Sequence, residues 1–226
     1  MTTTFVLVPG AGGDTWYWHR LVAELESRGH RALAVELPAA DDLAGLDAYA
    51  DTVVAAIGDR SPVVLVAQSM GGLTAPLVCE RAPVQLLVLV NAMVPLPGET
   101  GSEWWSATGQ AAARADHAAR TGLTDDPGDL TAAFFSDVPA DVAAAAQARP
   151  FAQSERPFAD PWPLAGWPDV PTRVVAARDD RFFPLDFQRT VAVEGLGLEV
   201  DEVPGGHLVA LGRPVELADR LEGYRR

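Results

Sequence analysis

"VLVAQSMGGLTAPLV" (residues 64–78) is the most telling stretch of this chain. A branched apolar run leads to Gln68, Ser69 and Met70, then to Gly71, Gly72 and an apolar helical pattern. A strand that turns sharply into a helix through a serine is the geometry of a nucleophile elbow, usually spelled G-x-S-x-G. Ala67 stands where the first glycine belongs. The local motif therefore leaves two readings open, a reactive serine or a small polar residue in a tight turn. The rest of the chain has to supply a base, a carboxylate and oxyanion donors.

Working outward, short apolar runs alternate with helical patterns. "TFVLV" (4–8), "RALAVEL" (31–37), "PVVLVA" (62–67), "VQLLVLV" (84–90), "TRVVAA" (172–177) and "LEVDEV" (198–203) read as strands. Between them, "WYWHRLVAELESRG" (16–29), "LDAYADTVVAAIG" (46–58), "MGGLTAPLVCER" (70–81), a segment near 185–194 and "PVELADRLEGY" (214–224) read as helices. Pro76 should kink its helix or sit near the first turn. Continuous apolar strands are the signature of a parallel sheet covered on both faces. The fold class is α/β, a doubly wound, mostly parallel sheet, whose ligands bind at the carboxyl ends of the strands.

Residues 95–168 break the alternation. They hold Trp104, Trp105, Trp162 and Trp167, four of the six tryptophans, among alanine-rich helical stretches. The segment is too long for a structureless loop and too aromatic for disorder. It reads as a helical cap inserted into a core made of residues 1–94 and 169–226.

The chain has 226 residues and a formal net charge of −14, and all 17 of its basic residues are arginines. An acidic surface of this kind repels phosphate backbones and anionic lipid, which disfavours nucleic-acid and membrane partners. No run approaches the ~20 apolar residues of a membrane span. The start, "MTTTFVLVPG", lacks the basic and apolar regions of a signal peptide. A cytoplasmic protein acting on a small molecule is expected, as a monomer or homodimer. The one cysteine, Cys79, rules out an intrachain disulfide. No metal motif and no cofactor is implied. "GAGGDT" (10–15) lacks the third glycine of a dinucleotide fingerprint, and without lysine there is no phosphate loop.

Three strand ends carry the chemistry. Ser69 follows the third strand. "VVAARDDRFFP" (174–184) puts two carboxylates after the fifth, and "GGHLVAL" (205–211) puts His207 after the last. The order Ser69, carboxylate, His207 is that of a serine nucleophile, its orienting acid and its base on this kind of sheet. "VPGAGG" (8–13) frees the backbone after the first strand, so Ala11 is the expected second oxyanion donor beside Met70 at a helix N-terminus. Such a histidine must be neutral to act, so activity should rise with pH as the imidazole loses its proton.

The stretches "LVPGAGGDTWYWHRL", "VAQSMGG", "VNAMVPLPGET", "RDDRFFP" and "PGGHLVALGRP" resemble the α/β-hydrolase fold from end to end. More narrowly, they resemble its small esterase and hydroxynitrile-lyase branch. The resemblance implies Ser69 as nucleophile, His207 as base, and Ala11 and Met70 as oxyanion donors. The family acid lies four residues before a proline, which selects Asp180 over Asp179 because "DRFFP" ends at Pro184. Pro9 and Ala67 depart from the family's histidine and glycine. The lyases of the branch carry a threonine and a lysine where this chain has Gly10 and Leu208, which places it on the esterase side. A small, neutral or apolar carboxylic ester or lactone is the expected substrate. The alternatives are a non-hydrolytic binding protein, a cofactor-free lyase or a C–C hydrolase on the same scaffold. Gly10, Trp16, Trp104, Trp105 and Leu208 are expected to line the substrate pocket.

Overall fold

In the computed structural model, which describes residues 3–225, six parallel strands form one sheet. They are β1 (Thr4–Val8), β2 (Arg31–Ala34), β3 (Val63–Gln68), β4 (Val84–Val90), β5 (Thr172–Ala177) and β6 (Val200–Val203), in the order β2-β1-β3-β4-β5-β6. The helices are α1 (His19–Ser27), α2 (Leu46–Ile57), α3 (Gly71–Cys79), α4 (Gly101–Ala107), α5 (Gln110–Thr121), α6 (Thr131–Phe134), α7 (Ala140–Gln147), α8 (Arg156–Ala159), α9 (Leu185–Leu196), α10 (Val209–Gly212) and α11 (Pro214–Gly223).

Alternate residues of each strand serve opposite faces, and both faces are apolar. Phe5, Leu7, Val64, Val66, Val88 and Val90 face Trp18, Leu21 and Leu25 near and on α1, and Leu217 and Leu221 of α11. Val6, Val8, Leu65, Leu87, Leu89 and Val174 face α2, α3 and α9 through residues such as Tyr49, Leu73 and Phe187. The register sets Val66 between Leu7 and Val88, so β3 is buried along its length.

The boundaries differ from the sequence reading at instructive points. β2 stops at Ala34 rather than residue 37, because Leu37 turns to donate its N–H to the Gly13 carbonyl at 3.0 Å and so anchors the glycine-rich turn. The first helical stretch splits into a 3-10 turn at Thr15–Trp18, capped by Asp14, and then α1. Pro76 lies well inside α3.

Helices α4 to α8 all fall between β4 and β5. α4 begins with a capping box: Thr100 Oγ1 accepts from the Glu103 N–H, and Glu103 Oε2 accepts from the Thr100 N–H, both at 3.0 Å. The segment is tied to the core by indole donors, with Trp104 Nε1 on the Val94 carbonyl at 3.0 Å and Trp162 Nε1 on the Leu73 carbonyl at 3.1 Å. Among the described residues, no helix is long and apolar enough to cross a membrane.

Candidate active site

β3 delivers Ser69 at its carboxyl end in a left-handed conformation, φ +51°. That conformation costs a non-glycine residue ~1–2 kcal/mol, so the surroundings must enforce it. The Ser69 N–H donates to the Val90 carbonyl at 3.3 Å, and its own carbonyl accepts from Met93 and Gly72, both at 3.0 Å. The close approach explains the small residues that follow. A Cβ on Gly71 would fall 2.8 Å from the Pro9 carbonyl oxygen, and one on Gly72 would overlap the Met93 carbonyl. Ala67 lies within β3, fully buried, with its methyl in the core. The backbone leaves the strand only after it, so that position needs a small residue but not a glycine.

The structure brings Ser69, Asp180 and His207 together. His207 Nδ1 lies 2.8 Å from Asp180 Oδ2, and His207 Nε2 lies 3.2 Å from Ser69 Oγ. Both acid and imidazole are fully buried. Asp180 Oδ1 accepts the N–H groups of Phe182 and Phe183, each at 2.8 Å. An Asp180 that only accepts leaves the proton on Nδ1, and Nε2 is then free to take one from the serine hydroxyl. The rings of Phe134, Phe182 and Phe183 meet the imidazole edge-on, with centroids 5.0–5.1 Å away. Asp179, the neighbouring acid, is exposed and holds backbone instead. Its Oδ2 accepts from the Gly205 N–H at 3.2 Å, and its own N–H donates to the Gly205 carbonyl at 2.9 Å.

Two positions that the sequence reading did not single out organise this cluster. Asn91, buried and at φ +46°, donates Nδ2 to the carbonyls of Gly206 (3.2 Å) and His207 (3.0 Å) and accepts the Ala177 N–H at 2.8 Å. It ties the ends of β4 and β5 to the histidine loop. Gln68, also buried, donates Nε2 to the His207 carbonyl at 3.4 Å. The signal for Asn91 was available: an asparagine directly after a buried strand, of the residue type that best tolerates left-handed backbone.

A cavity of about 380 Å³ opens over Ser69. Gly10, Ala11, Trp16, Met70, Trp105 and Leu208 lie on its wall. Trp104 does not, which corrects the expectation for that residue. It is fully buried against Trp105, Phe183 and Phe187, because the face of α4 that carries it turns to the core. The rest of the wall is mostly apolar, with Phe134, Phe135, Phe151 and Phe158 contributed by the inserted segment. Among the described residues, the N–H groups of Ala11 and Met70 take no protein acceptor, whereas the Gly12 N–H is held by Gln153 Oε1 at 2.9 Å. α3 begins just beyond Met70, so its N-terminal dipole reinforces that donor.

At the cavity rim, Arg149 pairs with Asp14 (Nε to Oδ2, 2.7 Å), and its guanidinium lies 5.5 Å from the centre of the Trp16 ring. Burial pushes the Asp14 carboxyl up. The Arg149 hydrogen bond, the Trp16 N–H and the Arg149 charge outweigh it and hold the group below its ordinary value. Burial pushes the Cys79 thiol up to about 12, which leaves it protonated and unreactive at neutral pH. Among the described residues, no group of three His, Cys, Asp or Glu side chains is placed to hold a metal ion.

The profile of the alpha/beta hydrolase family matches residues 5–220. A probable esterase of Oryza sativa subsp. indica is 36% identical over 107 residues, covering 42% of this chain and 41% of that protein. The match thus spans less than half of that relative's length. An alpha-hydroxynitrile lyase of Arabidopsis thaliana is 26% identical, with 96% of this chain and 95% of the lyase covered. Among solved structures, a pyrethroid hydrolase from Sphingobium faniae JZ-2 superposes with a TM-score of 0.80 at 22% identity, over 99% of this chain and 97% of that one. An extracellular alpha/beta-hydrolase from a Paenibacillus species gives 0.78 at 19% identity, over 98% of each chain. At these identities the structural likeness is one of fold. The six-stranded parallel sheet, its helices on both faces and the family match agree: the chain belongs to the alpha/beta hydrolase family.

Proposed function

We propose that this protein is a serine hydrolase that cleaves a small, neutral or apolar carboxylic ester or lactone. The observation that carries the reading is His207, bridged to Asp180 at 2.8 Å and to Ser69 at 3.2 Å, at the floor of an aromatic cavity. Ser69 Oγ attacks the carbonyl carbon while His207 Nε2 takes the hydroxyl proton. The tetrahedral oxyanion lies between the Ala11 and Met70 N–H groups. Collapse expels the alcohol, which takes the proton from His207, and water activated by His207 then releases the acid from Ser69. Residues 95–168 act as the cap, and a cavity of about 380 Å³ suits a compact substrate.

The full-length similarity to a hydroxynitrile lyase makes a lyase step the competing reading. Position 10 weighs against it. A Cβ there would fall 2.6 Å from Gln68 Oε1 and 2.9 Å from Ser69 Cβ, which leaves a threonine no room. Leu208 at the cavity wall supplies no charge for a departing cyanide.

The test is hydrolysis of p-nitrophenyl acetate and butyrate together with labelling by a fluorophosphonate. Wild type should turn over and be labelled. Ser69→Ala should lose labelling and at least ~10³-fold in kcat. Equal turnover by that variant would sink the reading.

A further inference from the structure

The turn after α6 places Asp137 against the loop that carries His207. Its carboxyl oxygens are shut away from solvent, and the donors that face them are the Gly206 N–H, its own N–H and the Arg213 guanidinium. Three glycines make room for it. A Cβ on Gly205 would fall 2.9 Å from Asp137 Oδ2, and one on Gly206 would fall 2.8 Å from Oδ1 and 2.6 Å from Ser136 Oγ. A Cβ on Gly212 would collide with the same carboxyl. Three residues earlier on the same stretch, the Phe134 ring meets the His207 imidazole at 5.1 Å. Residues 134–137 therefore touch the base twice, at its ring and at the backbone that precedes it.

The charged and titratable groups around this carboxyl are Arg213, whose Nε is 3.8 Å away, with Asp179 and Tyr17. Burial pushes the Asp137 carboxyl up and Asp179 adds to this, while the Gly206 N–H and the Arg213 charge pull the other way. A raised value in the folded state means that ionised Asp137 costs stability at neutral pH, a cost relieved as pH falls. An uncharged side chain of the same size would fill the space at lower cost, so packing alone does not account for the acid.

We propose that Asp137 is a positioning residue for His207: its carboxylate braces the Gly205–Gly206 backbone from the inserted segment, so that alignment of the imidazole on Ser69 depends on the docking of that segment. The proposal rests on the hydrolase reading of Ser69 and His207. It gives the inserted segment a part in aligning the base, beyond forming the wall of the cavity.

The experiment compares wild type with Asp137→Asn, Asp137→Ala and Asp141→Asn, the last removing a charge from the exposed face of the same segment. For p-nitrophenyl butyrate, Asp137→Asn should lower kcat about tenfold or more with KM within twofold. Its melting temperature at pH 7 should stay at or above that of wild type, and Asp141→Asn should match wild type throughout. Asp137→Ala should lose at least as much kcat. Unchanged kcat in Asp137→Asn, a loss explained by KM, or a loss accompanied by a lower melting temperature overturns the proposal. If wild type hydrolyses none of the esters, the hydrolase reading fails instead. The brace is then judged by the His207 imidazole NMR lines, assigned through His207→Gln, which must move in Asp137→Asn and stay in Asp141→Asn.

Discussion

The strand-end loops and the inserted segment hold their side chains in different ways. Around Ser69, Asp180 and His207, backbone groups and buried amides do the holding. The Ser69 carbonyl takes two N–H donors, Asp180 Oδ1 takes two more, and Asn91 spans three loops. In the inserted segment, side chains do most of it: indoles on carbonyls, Arg149 on Asp14, and Arg156 on Asp160 at 2.7 Å. Backbone fixed by a sheet has little freedom to move, whereas side-chain ties can be remade when a few residues change. In the proposed hydrolase, the first region would set the chemistry and the second would shape what reaches it, with the Asp137 brace as the point where the two meet.

Mutations can break this contrast or sharpen it. The largest effect is expected at the acid. Asp180→Asn should lower kcat by ~10⁴-fold by imposing the wrong imidazole tautomer, while Asp179→Asn should cost less than ~10-fold. Steady-state kinetics of both variants on p-nitrophenyl butyrate decides it, and comparable losses would refute the assignment of roles. Next come the adjacent tryptophans. Trp104→Ala should destabilise the fold by about 3–5 kcal/mol in urea unfolding, as a large core truncation does. Trp105→Ala should cost far less stability and act on KM. A smaller loss, about 1–3 kcal/mol, is expected for Asn91→Ala, which strands two buried carbonyls and the Ala177 N–H. Asn91→Asp should lose at least as much, because a buried carboxylate oxygen would face the Gly206 and His207 carbonyls in place of the Nδ2 donor.

The smallest effect belongs to the rim pair. Asp14 is held below its ordinary value, so the Arg149 contact stabilises the fold above the unfolded carboxylate value and is lost as pH falls through the folded one. Both side chains are over or near a third exposed, at 42% and 33%, so solvent screening limits the contribution to under ~1 kcal/mol. Melting curves of wild type and Arg149→Ala should differ slightly at pH 7 and converge toward pH 3. A gap that widens in acid would reverse the sign.

Legibility in the sequence followed the same division. The positions of Ser69, Asp180 and His207 could be read because each follows a segment that reads as a strand, and parallel strands deliver their following residues to one edge. Asp180 could be told from Asp179 only by resemblance, whereas in the fold burial separates them: one is fully enclosed and the other exposed. Trp104 was misplaced because both tryptophans of α4 fit an aromatic wall equally well on paper. Only the docking of that helix chooses which faces the core. Asn91 and Asp137 went unread because their partners lie 86 to 116 residues away for the asparagine and on distant glycines for the acid.

The amino-acid sequence by itself determined the alternation of strands and helices, the buried parallel sheet and the order of the reactive residue types. Those follow from apolar periodicity and from which residues stand at strand ends. The tertiary structure alone decided which acid is enclosed, which tryptophan meets the cavity and which carboxylate leans on the histidine loop. Those depend on distances between segments far apart in the chain, set by how helices dock and not by any local pattern.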